Sequence, residues 1–222
     1  MKSKEDRMKE MLGLSQNQLN SNPAALADKN PTFENETAAG LSFGQSNQNE
    51  KALVYFERAL QHNPNSAIAN NNMCSTYNSL QEWDKAQTYC EKALKIAPDL
   101  QLAKNNLKFT MDRKADNAKF IAGLKAKVDA ASGSDRRGLL VDLGFEYYKI
   151  HHLDEAIQTW KKVEKKSDDT TVRALNNLGS AYILMKKFDL AKASLNEAEK
   201  IDPKNQLVKN NLAWLKKETA AR

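Results

Sequence analysis

The sequence predicts an all-α solenoid of helical hairpins, arranged in two halves joined by a long helix. Four segments of equal length align without internal gaps: 33–66, 67–100, 137–170 and 172–205. Aromatic residues make up only 7% of the 222 residues, with eight Gly and five Pro, too few strand and turn signals for a sandwich or barrel. The segments QLAKNNLKF at 101–109 and QLVKNNLAW at 206–214 each follow a Pro by three residues, begin like the first helix of a repeat and then lose the pattern.

The repeat explains its own elements. A small residue stands at the eighth place (Gly40, Cys74, Gly144, Gly179) and an aromatic at the eleventh (Phe43, Tyr77, Tyr147, Tyr182). The twentieth place is always Ala (Ala52, Ala86, Ala156, Ala191), and the twenty-fourth is Phe56, Cys90, Trp160 or Leu195. The twenty-seventh holds Ala59, Ala93, Val163 and Ala198. Small residues let two antiparallel helices approach, and the bulky ones fill the space toward the next pair. Polar turns such as SNQNE, LQEWD, IHHLD and KKFDL separate the helices. Pro64, Pro98 and Pro203 stop the second helix at the thirty-second place, where the third copy has Asp168 instead. No single hairpin buries its own apolar face, so stacking is obligatory.

This pattern resembles the tetratricopeptide repeat family, which shares the period. The likeness covers 136 residues directly and implies a right-handed superhelical solenoid that binds other proteins on its concave inner face. At the fourth place, where the family expects a large residue, the first two copies have Glu36 and Asn70, which implies a less well-filled seam.

The predicted organisation is a largely flexible lead-in over 1–32, a first half over 33–131 and a second over 136–222. Within the lead-in, residues 1–14 can form a short amphipathic helix through Met8, Met11, Leu12 and Leu14. The first half comprises repeats 33–66 and 67–100 and a cap that runs on through 101–131; the second comprises repeats 137–170 and 172–205 and a cap over 206–219. Leu107, Met111, Ala118, Ile121, Leu124 and Val128 give the long cap an apolar stripe, so the helix over 103–131 serves as an internal spine or as a surface for a second copy.

Asparagine is unusually common, with 22 residues, although it is a poor helix former. Eight of these fall in four pairs at the fifth and sixth places of first-type helices: Asn71/Asn72, Asn105/Asn106, Asn176/Asn177 and Asn210/Asn211. The resemblance puts these amides in the concave groove, where Asn offers both donor and acceptor to a peptide backbone. The sixth-place residues are similar to the asparagine ladder of the O-GlcNAc transferase repeat domain, here broken at Ala38 and Asp142. Four net hydrogen bonds contribute roughly 2–6 kcal/mol before ordering costs, near millimolar to tens of micromolar. Apolar anchors must therefore add the rest, and Phe109, Phe145, Tyr148 and Trp214, with Ile68 and Leu102, are the inner-face candidates. The Lys and Asn positions with which such domains clamp chaperone C-terminal carboxylates are absent, since the fifth places hold Thr37, Asn71, Val141 and Asn176.

Chemistry is hard to place on this scaffold. His62, His151 and His152 read as exposed turn residues without a carboxylate or Cys to complete a metal site. Cys74 and Cys90 face each other across one hairpin, as buried small residues or, in an oxidising compartment, as a bridged pair. No catalytic, cofactor or metal site is expected. The net charge of +6 concentrates in 101–222, including Lys161, Lys162, Lys165 and Lys166 at the end of an outer helix, and no nucleic-acid motif accompanies it. No apolar run is long enough to span a bilayer. The expected function is a non-enzymatic adaptor that holds an extended or helical partner segment in the groove. The alternative is a self-associating or membrane-tethered, lipoprotein-like assembly factor. The charged N-terminus suggests a cytoplasmic protein, or a periplasmic or membrane-tethered one if a leader was removed.

Overall fold

A hydroxyl or carboxylate caps the N-terminus of three of the four inner helices. Thr32, Ser66 and Asp168 accept hydrogen bonds from the backbone N–H three residues on, at 3.2, 3.1 and 3.0 Å. The computed structural model describes residues 22–220, which form eleven α-helices and no strand. These are α1 (Pro23–Lys29), α2 (Phe33–Gln45), α3 (Asn49–His62), α4 (Ala67–Ser79), α5 (Trp83–Ile96) and α6 (Gln101–Ala130). They continue with α7 (Gly133–Lys149), α8 (Leu153–Trp160), α9 (Asp169–Leu184), α10 (Phe188–Ile201) and α11 (Gln206–Ala220). The proposed helix at residues 1–14 lies outside the described residues.

The inner helices all end in one way. The fifteenth place of each repeat is left-handed, with φ of +56° at Asn47, +60° at Gln81, +60° at His151 and +56° at Lys186. The next residue's N–H reaches back to the carbonyl of the eleventh-place aromatic: Gln48 to Phe43, Glu82 to Tyr77, His152 to Tyr147 and Lys187 to Tyr182. This is a Schellman closure, and it reverses the chain toward the outer helix. None of these residues is Gly, so the sequence carries no glycine signal for the turn.

Between the two helices, the eighth place is the hole and the twenty-fourth the knob. A Cβ on Gly40 would come within 2.5 Å of the Phe56 ring, and one on Gly179 within 2.5 Å of Leu195. Gly144 meets Trp160 in the same way, and the Trp160 indole donates to the Val141 carbonyl at 3.0 Å. In the second repeat the pair is Cys74 and Cys90, joined as a disulfide with their Cα atoms 5.2 Å apart.

The chain divides into two compact units, Met1–Ala115 and Asp116–Arg222. In the first, α1 packs against α2 with Ala27 fully buried, although residues 23–29 belong to the lead-in expected to be flexible. Asn22 caps it, and its C-cap, Asn30, has φ −136° and ψ 80°, closely matching Asn63, Ala97 and Asp202 after the outer helices. Its seven residues end as the outer helices do, and are too few to show a period. Its Asp28 accepts from Arg58 and Tyr55, and the Arg58 bond first, then the Tyr55 one, hold the carboxyl below its usual range. Arg58 also bonds Glu36, which lies 3.2 Å from His62. Glu36 and Asn70 are thus buried in polar contacts, Glu36 with Arg58 and His62 and Asn70 with the Ser66 carbonyl.

One helix, α6, runs through both units. Residues 101–115 pack on the second repeat: Leu107 lies against its core, Phe109 meets Trp83 edge-on and Lys114 bonds Gln87. Residues 116–130 contribute Ile121, Leu124 and Val128 to the core of the second unit. The expected apolar stripe is interrupted, because Met111 and Ala118 are exposed.

The third repeat departs most. Its outer helix α8 has eight residues where α3, α5 and α10 each have fourteen. At the twenty-seventh place Val163 replaces an Ala that is fully buried elsewhere, and it is buried in the core of the second unit beyond the end of the helix at Trp160. Lys161, Lys162, Lys165 and Lys166 therefore sit in an irregular segment past the helix, not on its last turn. Arg137, only 5% exposed, organises the segment by donating to the Glu164 carbonyl, both Asp168 oxygens and the Thr171 hydroxyl.

Two outcomes are expected. Replacing both cysteines with Ala, or reducing the disulfide, should lower the stability of the first unit by about 3 kcal/mol, the loop-entropy value for a closure of this length, read by urea denaturation. Arg137, followed by the Thr171 N–H, holds the Asp168 carboxyl well below its ordinary value of 3.8. A depressed carboxylate stabilises the fold above its unfolded pKa, and that contribution is lost as pH falls through the folded one. The thermal midpoint should therefore drop between about pH 4 and about pH 2, and Asp168→Asn should flatten that drop.

Candidate functional site

The paired asparagines divide by place. The fifth-place Asn71 and Asn176 are buried between helices, whereas Asn105 and Asn210, on the capping helices, are exposed and bond Gln101 and Gln206. Sixth-place amides reach back to the preceding fifth place. Asn106 Nδ2 donates to Asn71 Oδ1 at 2.9 Å, and Asn211 Nδ2 donates to Asn176 Oδ1 and to Ser180 Oγ, both at 2.8 Å. Each unit thus clasps its capping helix with an amide pair. In the first unit Thr110, fully buried, bonds Asn78 Oδ1 at 2.8 Å, and the Asn78 amide lies 3.7 Å from the disulfide sulfur of Cys74.

Asn72 and Asn177 have no such acceptor behind them. The fifth place before Asn72 is Thr37, whose hydroxyl is bonded to the Phe33 carbonyl, and the one before Asn177 is Val141. The Asn72 Nδ2 is buried without a hydrogen-bond partner. Asn177 instead opens into a cavity of about 350 Å³ on the inner side of α7, α9 and α11. Val141, Phe145, Val172 and Leu207 form its apolar walls, with Phe145 47% and Leu207 64% exposed. Asp142 and Arg173, paired at 3.2 Å, mark its polar side.

The other expected anchors are spread out. Tyr148 stacks on Phe145 and lies tilted against Trp160, with ring centroids 6.2 and 5.9 Å away, and burial pushes its phenol above the ordinary value. Trp214 is half-buried and donates to Glu218 at 3.1 Å. Phe109 is half-exposed in the first unit, under the Arg113 guanidinium. Arg173 and Leu207 were not among the sequence candidates. Both are surface residues on inner helices whose meaning depends on what lies across from them. Arg137 had a visible signal, since its place holds Phe33, Ala67 and Val172 in the other repeats. Among the described residues there is no cluster of His, Cys, Asp and Glu able to hold a metal ion.

A tetratricopeptide repeat model matches residues 45–108, and a second matches 172–205. The chain contains tetratricopeptide repeats over these two stretches. Among solved structures, a tetratricopeptide repeat protein from Parabacteroides merdae is 16% identical, aligns over 94% of this chain and 79% of its own, and has a TM-score of 0.40. YrrB, described as a tetratricopeptide repeat protein with an unusual peptide-binding site, is 18% identical over 86% of this chain and 97% of its own, with a TM-score of 0.40. Pseudomonas aeruginosa pilF is 13% identical over 95% and 99%, also at 0.40. No curated protein matches the chain. Tetratricopeptide repeats are protein-interaction modules, and the repeat protein described here is in that general sense a scaffold. Among its described residues no helix is long and apolar enough to cross a membrane.

The amide clasp has a measurable share in stability. A double-mutant cycle on Asn71→Ala and Asn106→Ala should give a coupling energy of about 0.5–1.5 kcal/mol, and the matching cycle on Asn176 and Asn211 a similar value.

Proposed function

We propose that this tetratricopeptide repeat protein is a non-enzymatic adaptor that holds an extended or helical segment of a partner protein against the inner helices, chiefly in the second unit. The observation that carries this reading is the cavity lined by Phe145, Val172 and Leu207, into which Asn177 brings an amide with no hydrogen-bond partner among the described residues. An apolar wall can take one bulky side chain of the partner, and the amide can hold the neighbouring backbone from both its donor and its acceptor. The Asp142–Arg173 pair would offer a carboxylate and a guanidinium to polar groups of the segment at that edge. Asn71, Asn106, Asn176 and Asn211 act mainly by setting the capping helices, and so shape the surface while contributing few free donors.

A second reading has its own support. The Cys74–Cys90 disulfide favours work in an oxidising compartment, where such bonds persist. An extracytoplasmic assembly factor, tethered or free, is compatible with this. Self-association through residues 103–131 remains a proposal for the same protein.

Photo-crosslinking tests the inner site. A crosslinking residue at Phe145 should capture a partner segment that the same residue at the outer-helix position Lys192 does not. Phe145→Asp combined with Asn177→Ala should weaken that partner at least tenfold, the order expected for losing a central anchor, with helicity unchanged by circular dichroism. Undiminished binding by the double variant would rule out the cavity as the site.

A further inference from the structure

The early end of α8 leaves a second opening, on the outer side of the second unit and apart from the inner cavity. In the other repeats the outer helix continues for six more residues past its twenty-fourth place. Here those residues leave the helical path, and a cleft of about 280 Å³ opens between α8 and α10, floored by α9. Trp160, Leu175, Leu178 and Leu190 supply its apolar lining. Three of these are buried, whereas Leu190 stands at the edge, 49% exposed. The volume falls just below the roughly 300–1,000 Å³ of small-molecule sites, and suits one or two protruding side chains better than a cofactor.

The lip is basic. Residues 161–166 read Lys-Lys-Val-Glu-Lys-Lys. Lys165 and Glu197 both line the cleft and are joined at 2.8 Å, which links its two walls. Lys166 lies 3.5 Å from Glu164, while Lys161 and Lys162 are exposed and have no ion-pair partner among the described residues. Backbone and side-chain bonds fix this segment: Arg137 holds the Glu164 carbonyl, and the Lys166 N–H donates to Thr171 Oγ1 at 2.9 Å. The lysines are thus presented beside an apolar slot by a segment anchored at its centre and its end.

We infer that this outer cleft is a docking site for an acidic amphipathic segment of a partner protein, which inserts a bulky apolar side chain over Leu178 and Leu190 and sets carboxylates against Lys161 and Lys162. The apolar floor supplies the contact that persists, and the lysine lip governs the rate and the selection of sign. The Lys165–Glu197 pair leaves Lys165 able to exchange Glu197 for an incoming carboxylate.

The test uses the full chain with labelled Leu methyl groups and, as probe, a helical Glu/Ala peptide carrying two Leu at i and i+4. Saturable shifts are expected at Leu175, Leu178 and Leu190, with Phe145→Asp leaving them unchanged. Ser194→Trp, which fills the cleft, should abolish them. Lys161→Glu with Lys162→Glu, both on the exposed surface, should weaken the peptide at least tenfold, about 1.4 kcal/mol, while thermal unfolding stays as in the unaltered chain. Absence of shifts overturns the inference, as does an equal response to a Lys/Ala peptide with the same Leu pair. Shifts produced only by anionic phosphatidylglycerol vesicles would assign the surface to a membrane. Shifts that track protein concentration without peptide would assign it to a second copy. Either result overturns the acidic-segment assignment.

Discussion

The contact between the eighth and twenty-fourth places sets the rest of the structure. It brings two helices close enough that a single methyl group at Gly40 or Gly179 would overlap the facing side chain. Everything else in a repeat adjusts around that distance: Ala at the twentieth place, the Schellman closure after the inner helix and the aromatic carbonyl that accepts its hydrogen bond. The second repeat reaches the same spacing by covalent means, with two small residues and a bond in place of a hole and a knob. Four chemically different pairs thus solve one geometric problem.

The repeat architecture was legible because its constraint recurs. Four gapless copies expose a pattern that one hairpin would hide, and each copy holds an inner and an outer helix separated by a polar turn. The third copy was legible only as an anomaly, Asp168 in place of Pro and Val163 in place of Ala. Those two residues mark the copy as different, but where its outer helix stops, at Trp160, is not written in them. The helix α1 lacked even an anomaly, since seven residues are too few to show a period.

The asparagines show where reading a site from sequence runs out. Their places on the inner helices could be read, but their bonds could not, because each depends on the residue across the helix pair. Asn211 and Asn177 have the same place in the repeat and differ only in what stands behind them, Asn176 for one and Val141 for the other. One therefore serves the cap and the other faces the cavity. The same residue type supports both structure and recognition, divided by a neighbour that lies 35 or 36 positions earlier.

The disulfide has a further consequence, for the protein as a mechanical object. Cys74 and Cys90 enclose the C-terminal part of α4, the turn and the first half of α5. If the chain is drawn out by its ends, that stretch cannot lengthen, and its extensible contour is shorter by about 50 Å at the usual span per residue. Tension would bypass the turn at Gln81 and pass directly from the inner helix to the outer one through sulfur. The second repeat would be the one hairpin of the four that force cannot fully pull open.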